Sequence, residues 1–567
     1  MIGAYLDRAT VTYLAQPVFE DLHWEIHDDR CVGLVGPNGS GKSTLLRLIA
    51  GMQAPDSGTM VMARGCTVGL LAQEPVFAQG RTVWEEALAA SSALDALEQE
   101  LARAETSLSD PRVYGDERRL ARALALQESL LAEYEHAGGP GYQGRLRATL
   151  AGLRFSEADL SLPVEALSGG QKKLLALAKL MVVQPSLLLL DEPDNHLDLP
   201  GKAMLEQYIR SYKGGVVVVS HDRYLLDMVV DEIVELEQGH LTQYEGNYSE
   251  YAYERELRRA RQGQLYQTQR REISRLEQSA KRLMTWGKVY DNEKFSARGQ
   301  AILKRLEKME RVDAPVGTQR RMGLSLPGWR GSQRVLDVEG VRKTFVGADG
   351  REQAVLDGVD LLLFHGDRVG LVGPNGAGKT VMFRLILGEL EPSAGRLRIG
   401  PGVGVGLYAQ EHETLDPELT LLETVMRAGP MSESDAVSFL GRFVFPYQQV
   451  REPVRTLSGG EKGRLQMALL MLSDANLLLL DEPTNNLDIA SAEVLEEALE
   501  GFEGTVLVIS HDRYFLDRIV TRIEALEGGV LKSYSGKYSD YEVERARRRA
   551  QPAVSEEPKR ANKRQKR

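Results

Sequence analysis

A glycine-rich run that ends in lysine and a hydroxyl residue occurs twice in this chain. Gly36, Pro37, Asn38, Gly39, Ser40 and Gly41 precede Lys42 and Ser43, with Thr44 behind them. Gly373, Pro374, Asn375, Gly376, Ala377 and Gly378 precede Lys379 and Thr380, with Val381 behind them. Glycines let backbone N–H groups turn inward around phosphate oxygens, and a helix beginning at the lysine adds its positive end. Lys42 and Lys379 are then placed to neutralise β- and γ-phosphates, and Ser43 and Thr380 to offer a hydroxyl to Mg²⁺. Two leucine runs, 187–190 and 477–480, each close on an acid pair, Asp191-Glu192 and Asp481-Glu482. The first acid suits a metal ion, held directly or through water. The second suits polarising an attacking water, against the plainer reading of a structural salt bridge. His221 follows the apolar run Val216–Val219, and His511 repeats it; a structural histidine is the plain reading, a γ-phosphate contact the one favoured here. Together these residues predict hydrolysis of a bound nucleoside triphosphate, at two places.

The elements that position these groups follow from the repeat itself. Gln73 recurs as Gln410, and the run Leu167, Ser168, Gly169, Gly170, Gln171 recurs as Leu457, Ser458, Gly459, Gly460, Glu461. Lys42 to Lys379 and Gln73 to Gln410 span 337 residues, whereas Ser168 to Ser458, Asp191 to Asp481 and His221 to His511 span 290. The first repeat therefore carries 47 extra residues between glutamine and serine, within Ser91–Gly144. That insert is Leu/Ala-rich, breaks at Pro111 and ends at Gly138-Gly139-Pro140, which predicts a helical hairpin. The strand Cys31–Val35 before the first glycine loop and the helix-forming stretch Ser43–Ala50 after it give the strand–loop–helix order such loops need. Between the repeats, Tyr248 to Trp286 lacks proline and spaces Leu257, Leu265, Ile273, Leu276 and Leu283 as a helix does. A turn around Gly287–Asn292 leads to a second helix, about Phe295 to Arg311, closed by Pro315.

Composition narrows the function classes. At 567 residues the chain exceeds one core. No apolar run approaches the ~18 residues of a membrane span, and no basic-then-apolar leader opens the chain. Cys31 and Cys66 lack the paired spacing of zinc or redox sites. These features predict a cytoplasmic protein. The net charge of −11 conceals two basic segments: 246–332 holds 19 Lys/Arg against 10 Asp/Glu, and 545–567 holds 10 against 2. The first, with Trp286, Tyr290 and Phe295 near its turn, can pair phosphates and stack on bases; a solvated coiled-coil spacer is the plainer reading. The insert is acidic, so protein contact, packing and RNA contact all stay open for it. The tail beyond Pro552 lacks apolar periodicity and is expected to be disordered.

The signature Ser-Gly-Gly ahead of the Asp-Glu strand and the Ser-His-Asp run, in both repeats, resembles the ATP-binding-cassette (ABC) ATPases. That resemblance implies an α/β fold with two P-loop ABC-type nucleotide-binding domains in tandem, joined by a long helical-hairpin linker, and implies ATP and Mg²⁺ as ligands. The family's head-to-tail pairing would combine Lys42, Ser43, Gln73, Asp191, Glu192 and His221 with Ser458, Gly459, Gly460 and Glu461. It would likewise combine Lys379, Thr380, Gln410, Asp481, Glu482 and His511 with Ser168, Gly169, Gly170 and Gln171, within one chain acting as a monomer. By the same resemblance Gln73 and Gln410 join catalysis and the metal sphere, and Tyr13 and Phe345 stack on adenine, although either could be an ordinary strand residue. The runs Glu192–Asp198 and Glu482–Asp488, Ser220–Tyr224 and Ser510–Tyr514, and Gly246–Tyr251 are similar to the ABC-F branch. The expected layout is 1–245 and 333–541 as cassettes, with the arm at about 91–144, the basic linker at 246–332 and the tail at 542–567. In that branch the linker reaches toward the P-site tRNA from the ribosomal E site, and some members protect ribosomes from antibiotics. A DNA-associated ATPase and the energising subunit of a membrane exporter are the competing readings. Three positions depart from the pattern: Asp194 stands where Thr is usual, Leu174 where Arg is usual, and Val381 where a second hydroxyl is usual. Leu174 and Val381 both fall in the second composite site, which predicts unequal turnover at the two sites.

Overall fold

Short runs of valine and leucine, buried on both faces, build the centre of each repeat, as parallel strands require. The computed structural model describes residues 2–13, 16–89, 92–109, 116–136, 139, 141–195, 197–290, 293–309, 331–346, 352–409, 415–485 and 487–550. It divides into an N-terminal unit, Met1–Leu197 with Gly201–Met322, and a C-terminal unit, Gly323–Arg567 together with Asp198–Pro200.

In the N-terminal unit, β1 (Ile2–Tyr13) and β2 (Gln16–His27) form an antiparallel pair, followed by β3 (Cys31–Val35) and helix α1 (Lys42–Ile49). Next come β4 (Ser57–Met62) and β5 (Val68–Leu71), then helices α2 (Val83–Leu88), α3 (Ser92–Leu108), α4 (Glu117–His136), α5 (Tyr142–Gly152) and α6 (Glu157–Leu160). Helix α7 (Gly169–Val183), β6 (Leu187–Asp191), α8 (Leu199–Ser211), β7 (Gly215–Val219), α9 (Arg223–Val229), β8 (Glu232–Glu237) and β9 (His240–Glu245) complete it. The main sheet runs β5-β6-β7-β3-β8-β9, parallel except for the last pair. Leu34 and Asp191 both register with Val219, so the chain leaves β3, β6 and β7 at one edge of the sheet. Ligands of open α/β sheets bind at such carboxyl ends. A second sheet, β2-β1-β4, shares one core with it: Leu6, Phe19 and Trp24 pack with Leu45 and Leu46 of α1 and with Leu187 and Val217.

Helices α3 and α4 pair through Leu101, Ala104, Leu130 and Tyr134, as a helical hairpin requires; residues 110–115, with the expected break at Pro111, lie outside the described residues. Helix α10 (Tyr248–Val289) starts on an Asn247–Glu250 capping box and packs against α11 (Glu293–Glu307). It runs three residues beyond the Trp286 at which the sequence places its end. At Gly299 of α11 a β-carbon would stand 2.6 Å from Met284 Cγ, so a side chain there would push the helices apart. Trp286 and Phe295 meet edge to face at 6.4 Å beside the turn. Arg255 and Arg259 tie the root of α10 to Glu235 and Glu237 of β8, while Arg261, Arg270, Arg271, Arg275 and Lys281 are exposed along it. The stretch 310–330, with the expected helix end at Arg311 and Pro315, lies outside the described residues.

The C-terminal unit repeats this plan. Its strands are β10 (Arg334–Val346), β11 (Glu352–Phe364), β12 (Arg368–Val372), β13 (Ala394–Ile399), β14 (Val405–Tyr408), β15 (Leu477–Asp481), β16 (Thr505–Ile509), β17 (Arg522–Glu527) and β18 (Val530–Ser535). The main sheet, β14-β15-β16-β12-β17-β18, has the same order and directions as the first. Its helices are α12 (Lys379–Ile386), α13 (Leu421–Ala428), α14 (Glu433–Arg442), α15 (Gly459–Leu472), α16 (Ile489–Glu500), α17 (Arg513–Ile519) and α18 (Tyr538–Ala550). The tail after 550 lies outside the described residues.

Candidate nucleotide sites

Each glycine loop crosses from the centre of its sheet to a helix. Gly36 has no room for a side chain, because a β-carbon would lie 2.3 Å from the Leu236 carbonyl oxygen. Gly41 and Gly378 hold φ of 100° and 101° at the N-caps of α1 and α12, a conformation glycine adopts at little cost. Lys42 turns back on its own loop and donates to the Gly36 and Pro37 carbonyls at 2.8 and 3.0 Å. Lys379 does the same to Gly373 and Pro374 at 2.8 and 3.2 Å and lies 3.3 Å from His511 Nε2. Burial lowers the Lys379 pKa, with Glu482 and Asp481 opposing the shift, so an arriving phosphate would relieve an ammonium short of water. Pro37, Asn38, Gly39 and Ser40, like Pro374, Asn375, Gly376 and Ala377, form the turns of the two loops, closed by the 3.2 Å bonds Ser40 N to Pro37 O and Ala377 N to Pro374 O.

Ser43 hydrogen-bonds Asp191, and Thr380 Oγ1 donates to Asp481 Oδ2 at 3.2 Å. Asp191 is buried, its pKa raised by desolvation and by neighbouring Glu192, and its Oδ1 has no hydrogen-bond partner. A buried carboxylate oxygen beside a hydroxyl oxygen offers the hard donors a divalent cation takes, so Asp191 and Ser43 suit Mg²⁺. Thr44 and Val381 follow on the first turn of their helices, and Val381 packs against the core.

The glutamates occupy a restrained geometry. Glu192 and Glu482 have φ of 48° and 49°, and their backbone N–H groups each donate to the neighbouring strand, to Val219 O and Ile509 O, at 2.8 Å. Such a conformation in a non-glycine residue is costly, and finding it twice at the same place marks a functional constraint. Glu192 Oε2 accepts from Gln73 Nε2 at 2.7 Å and Asn195 Nδ2 at 2.6 Å, and Oε1 stands 3.5 Å from His221 Nε2. Burial opposes its charge, but the His221 contact and nearby Lys173 and Lys42 hold the carboxyl below the usual glutamate value. Glu482 repeats the histidine contact, 3.5 Å from His511 Nε2, and accepts the His511 backbone N–H at 3.1 Å. Gln410 lies outside the described residues.

Both signature serines cap their helices. Ser168 Oγ accepts from Gln171 N while Gln171 Oε1 accepts from Ser168 N at 3.0 Å; Ser458 and Glu461 form the same box, with Glu461 also held by Gln449 at 2.8 Å. Gly169 and Gly459 lie exposed in the first turns, where helix N–H groups can meet an anion; Gly170 is half-buried and Gly460 buried. Tyr13 ends β1, 47% exposed, with its hydroxyl on Gln53 Oε1 at 2.8 Å. It lines a cavity of about 530 Å³ with Val18, Phe19, Gly39, Ser40 and His240, a volume suited to a nucleoside. Phe345 is the penultimate residue of β10, 41% exposed, with Lys343 Nζ 5.3 Å above its ring.

Two residues that touch Glu192 stand outside the sequence-predicted set. Asn195 had a signal, its fixed spacing after the acid pair in both repeats. Lys173, whose Nζ donates to the Glu192 carbonyl oxygen at 2.8 Å, had none, because it reads as one more lysine on a helix.

These parts define a P-loop ATPase of the ABC type, present twice. The sequence model described as ABC transporter matches residues 19–195 and 356–485, and a second model of the same description matches 234–324. Across 548 residues the chain is 33% identical to ABC transporter F family member 5 of Arabidopsis thaliana, covering 95% of this chain and 77% of that protein. It is 36% identical over 525 residues to the energy-dependent translational throttle protein EttA of Mycobacterium tuberculosis strain H37Rv, covering 90% and 89%. It is 34% identical over 543 residues to the putative ATP-binding protein YdiF of Bacillus subtilis strain 168, covering 95% and 82%. Among solved structures, the archaeal ribosome recycling factor aABCE1 in complex with stalk protein aP1 aligns at a TM-score of 0.59 and 20% identity, over 95% of this chain and 92% of that one, a likeness of fold. The chain belongs to the ABC family and, within it, to the ABC-F ATPases; it binds and hydrolyses ATP. Among the described residues no helix is long and apolar enough to cross a membrane.

Proposed function

We propose that this ATPase binds the ribosome in its ATP-bound state, in the E site, and uses the α10–α11 hairpin to position P-site tRNA during translation. The observation that carries the reading is the 42-residue helix α10, rooted on β8 by Arg255 and Arg259 and exposing successive arginines on an otherwise acidic chain. A basic rod of this kind neutralises phosphate backbones, and Trp286 and Tyr290 near its end, 45% and 69% exposed, offer surfaces for stacking on bases. The names of relatives such as EttA supply the translational context. Helix α10 ends at Val289 and α11 begins at Glu293, and so short a separation in sequence favours tRNA positioning over displacement of a bound antibiotic.

The same reading assigns the roles. Lys42 and Lys379 would bind the β- and γ-phosphates, and Ser43, Thr380, Asp191 and Asp481 would hold Mg²⁺, with Gln73 and Gln410 joining catalysis and the metal sphere. Glu192 and Glu482 polarise the water, His221 and His511 contact the γ-phosphate, the signature serines and glycines bind phosphate, and Tyr13 and Phe345 stack on adenine. Glu192→Gln with Glu482→Gln keeps the shape of both sites but removes the base, so ATP stays bound unhydrolysed. Added to a cell-free translation reaction with ATP, this variant is expected to arrest synthesis. Adding Arg270→Glu, Arg271→Glu and Arg275→Glu is expected to relieve the arrest. Unchanged synthesis at a molar excess of the trapped variant over ribosomes would count against the reading.

A further inference from the structure

The two catalytic centres differ in what surrounds their second acid, and the differences cluster in space. Asp194 occupies the position that Thr484 has in the other repeat, Lys202 that of Ala492, and Lys173 that of Gly463. In the N-terminal unit these three lie together and are buried. Ser220 Oγ donates to Asp194 Oδ1 at 2.7 Å, and Lys202 Nζ to Asp222 Oδ2 at 2.8 Å. Lys173 Nζ donates to the Glu192 carbonyl oxygen at 2.8 Å; burial lowers its pKa, and Asp194 is the strongest charge opposing that shift. Asp222 in turn caps α9 through the Tyr224 and Leu225 N–H groups, immediately after His221. Burial raises the Asp194 carboxyl, and Lys202 is the strongest influence against that rise. A buried carboxylate beside another is costly unless cations face both.

The C-terminal unit joins the corresponding helices, α16 and α17, elsewhere. There Arg518 reaches Glu496 at 2.7 Å and Glu500 at 2.6 Å, well along both helices from the histidine. The N-terminal unit has Met228 at the position of Arg518, and makes its tie at Asp222, the residue after His221.

We propose that Lys173, Asp194 and Lys202 form a buried charge network that positions Glu192 and the His221 segment for hydrolysis in the N-terminal cassette alone. They are positioning residues: Lys173 fixes the backbone of Glu192, while Asp194 and Lys202 fix Ser220 and Asp222 on either side of His221. The inference rests on Glu192 as the catalytic base of its site, and the experiment separates the two claims.

Steady-state ATPase is measured on the full chain carrying Glu482→Gln, so that turnover reports the Glu192 site. Glu192→Gln, added as a control, is expected to abolish what remains. Lys202→Ala leaves Asp194 and Asp222 without their shared cation and is expected to lower kcat at least tenfold, with KM for Mg·ATP within twofold. Asp194→Thr combined with Lys202→Ala, the pair the other cassette uses, is expected to recover kcat to within threefold of its parent. Where Glu482→Gln alone silences the chain, the sites are coupled, and the same variants in the wild-type chain show the loss in full. Should Lys202→Ala fail to fold, Asp194→Asn, which keeps the shape and removes the charge, is expected to show the same kcat loss, again with KM within twofold. An unchanged kcat, a matching rise in KM, or a paired variant no better than the single one in a normally folded protein would overturn the network. A Glu192→Gln control that keeps the turnover would overturn the assignment of Glu192 as well.

Discussion

Glu192 is held from four sides, and its geometry states what each neighbour contributes. Gln73 and Asn195 both donate to one carboxylate oxygen, at 2.7 and 2.6 Å, and leave the other near His221. Two donors on one oxygen fix the direction in which the second faces a water. A hydrogen bond to a charged group contributes about 1.5–3 kcal/mol, so Asn195→Ala is expected to lower kcat by roughly tenfold or more at the Glu192 site, with little change in ATP affinity. Turnover at saturating Mg·ATP and nucleotide binding to the same variant check this, and unchanged turnover would show Asn195 to be a bystander. Chelation of divalent cations is expected to stop hydrolysis, because Asp191 and Ser43 lack the ion they flank; restoration by added Mg²⁺, measured as phosphate release, is the control. At this scale the loop, the acid pair and the histidine were legible in the sequence, since the same residue types recur at the same spacing in both repeats. Lys173 and Lys202 were not. A lysine in a helical run reads as solvated, and only the fold brings its ammonium to a backbone oxygen or a buried acid.

At the scale of elements, the sheet order explains why residues more than a hundred positions apart meet. β5, β6, β7 and β3 are neighbours, so Gln73, Glu192, His221 and Lys42 leave adjacent strand ends. The helical spacing of α10 and the proline that breaks the insert were enough to place both hairpins. The helix ends were less legible, because Gly287, which reads as a stop signal, stands inside α10, and the helix runs on to Val289. The close contact of the linker helices hangs on Gly299, which faces Met284 and Ala280. Gly299→Val is expected to overpack this contact at a cost of about 1–3 kcal/mol. It should raise protease cleavage within 248–307 while leaving intrinsic ATP hydrolysis intact. An unaltered digestion pattern would show that the helices tolerate separation.

At the scale of the whole molecule, charge is distributed in opposition: basic segments on an acidic remainder. Repulsion from RNA across the acidic surfaces and attraction along α10 would together orient an encounter. Such binding weakens steeply with salt, because each neutralised phosphate releases counterions. RNA and DNA present the same phosphates, and an exporter partner would present none. Charge alone separates none of these, and the cassettes are common to all three. The most direct test is sedimentation of the chain carrying Glu192→Gln and Glu482→Gln through a sucrose gradient with cell lysate, with ATP or with ADP. The chain is expected to travel with ribosomes in ATP and to stay near the top in ADP. Failure to travel with ribosomes in ATP, or migration with membranes or DNA instead, would contradict the proposed ribosome binding.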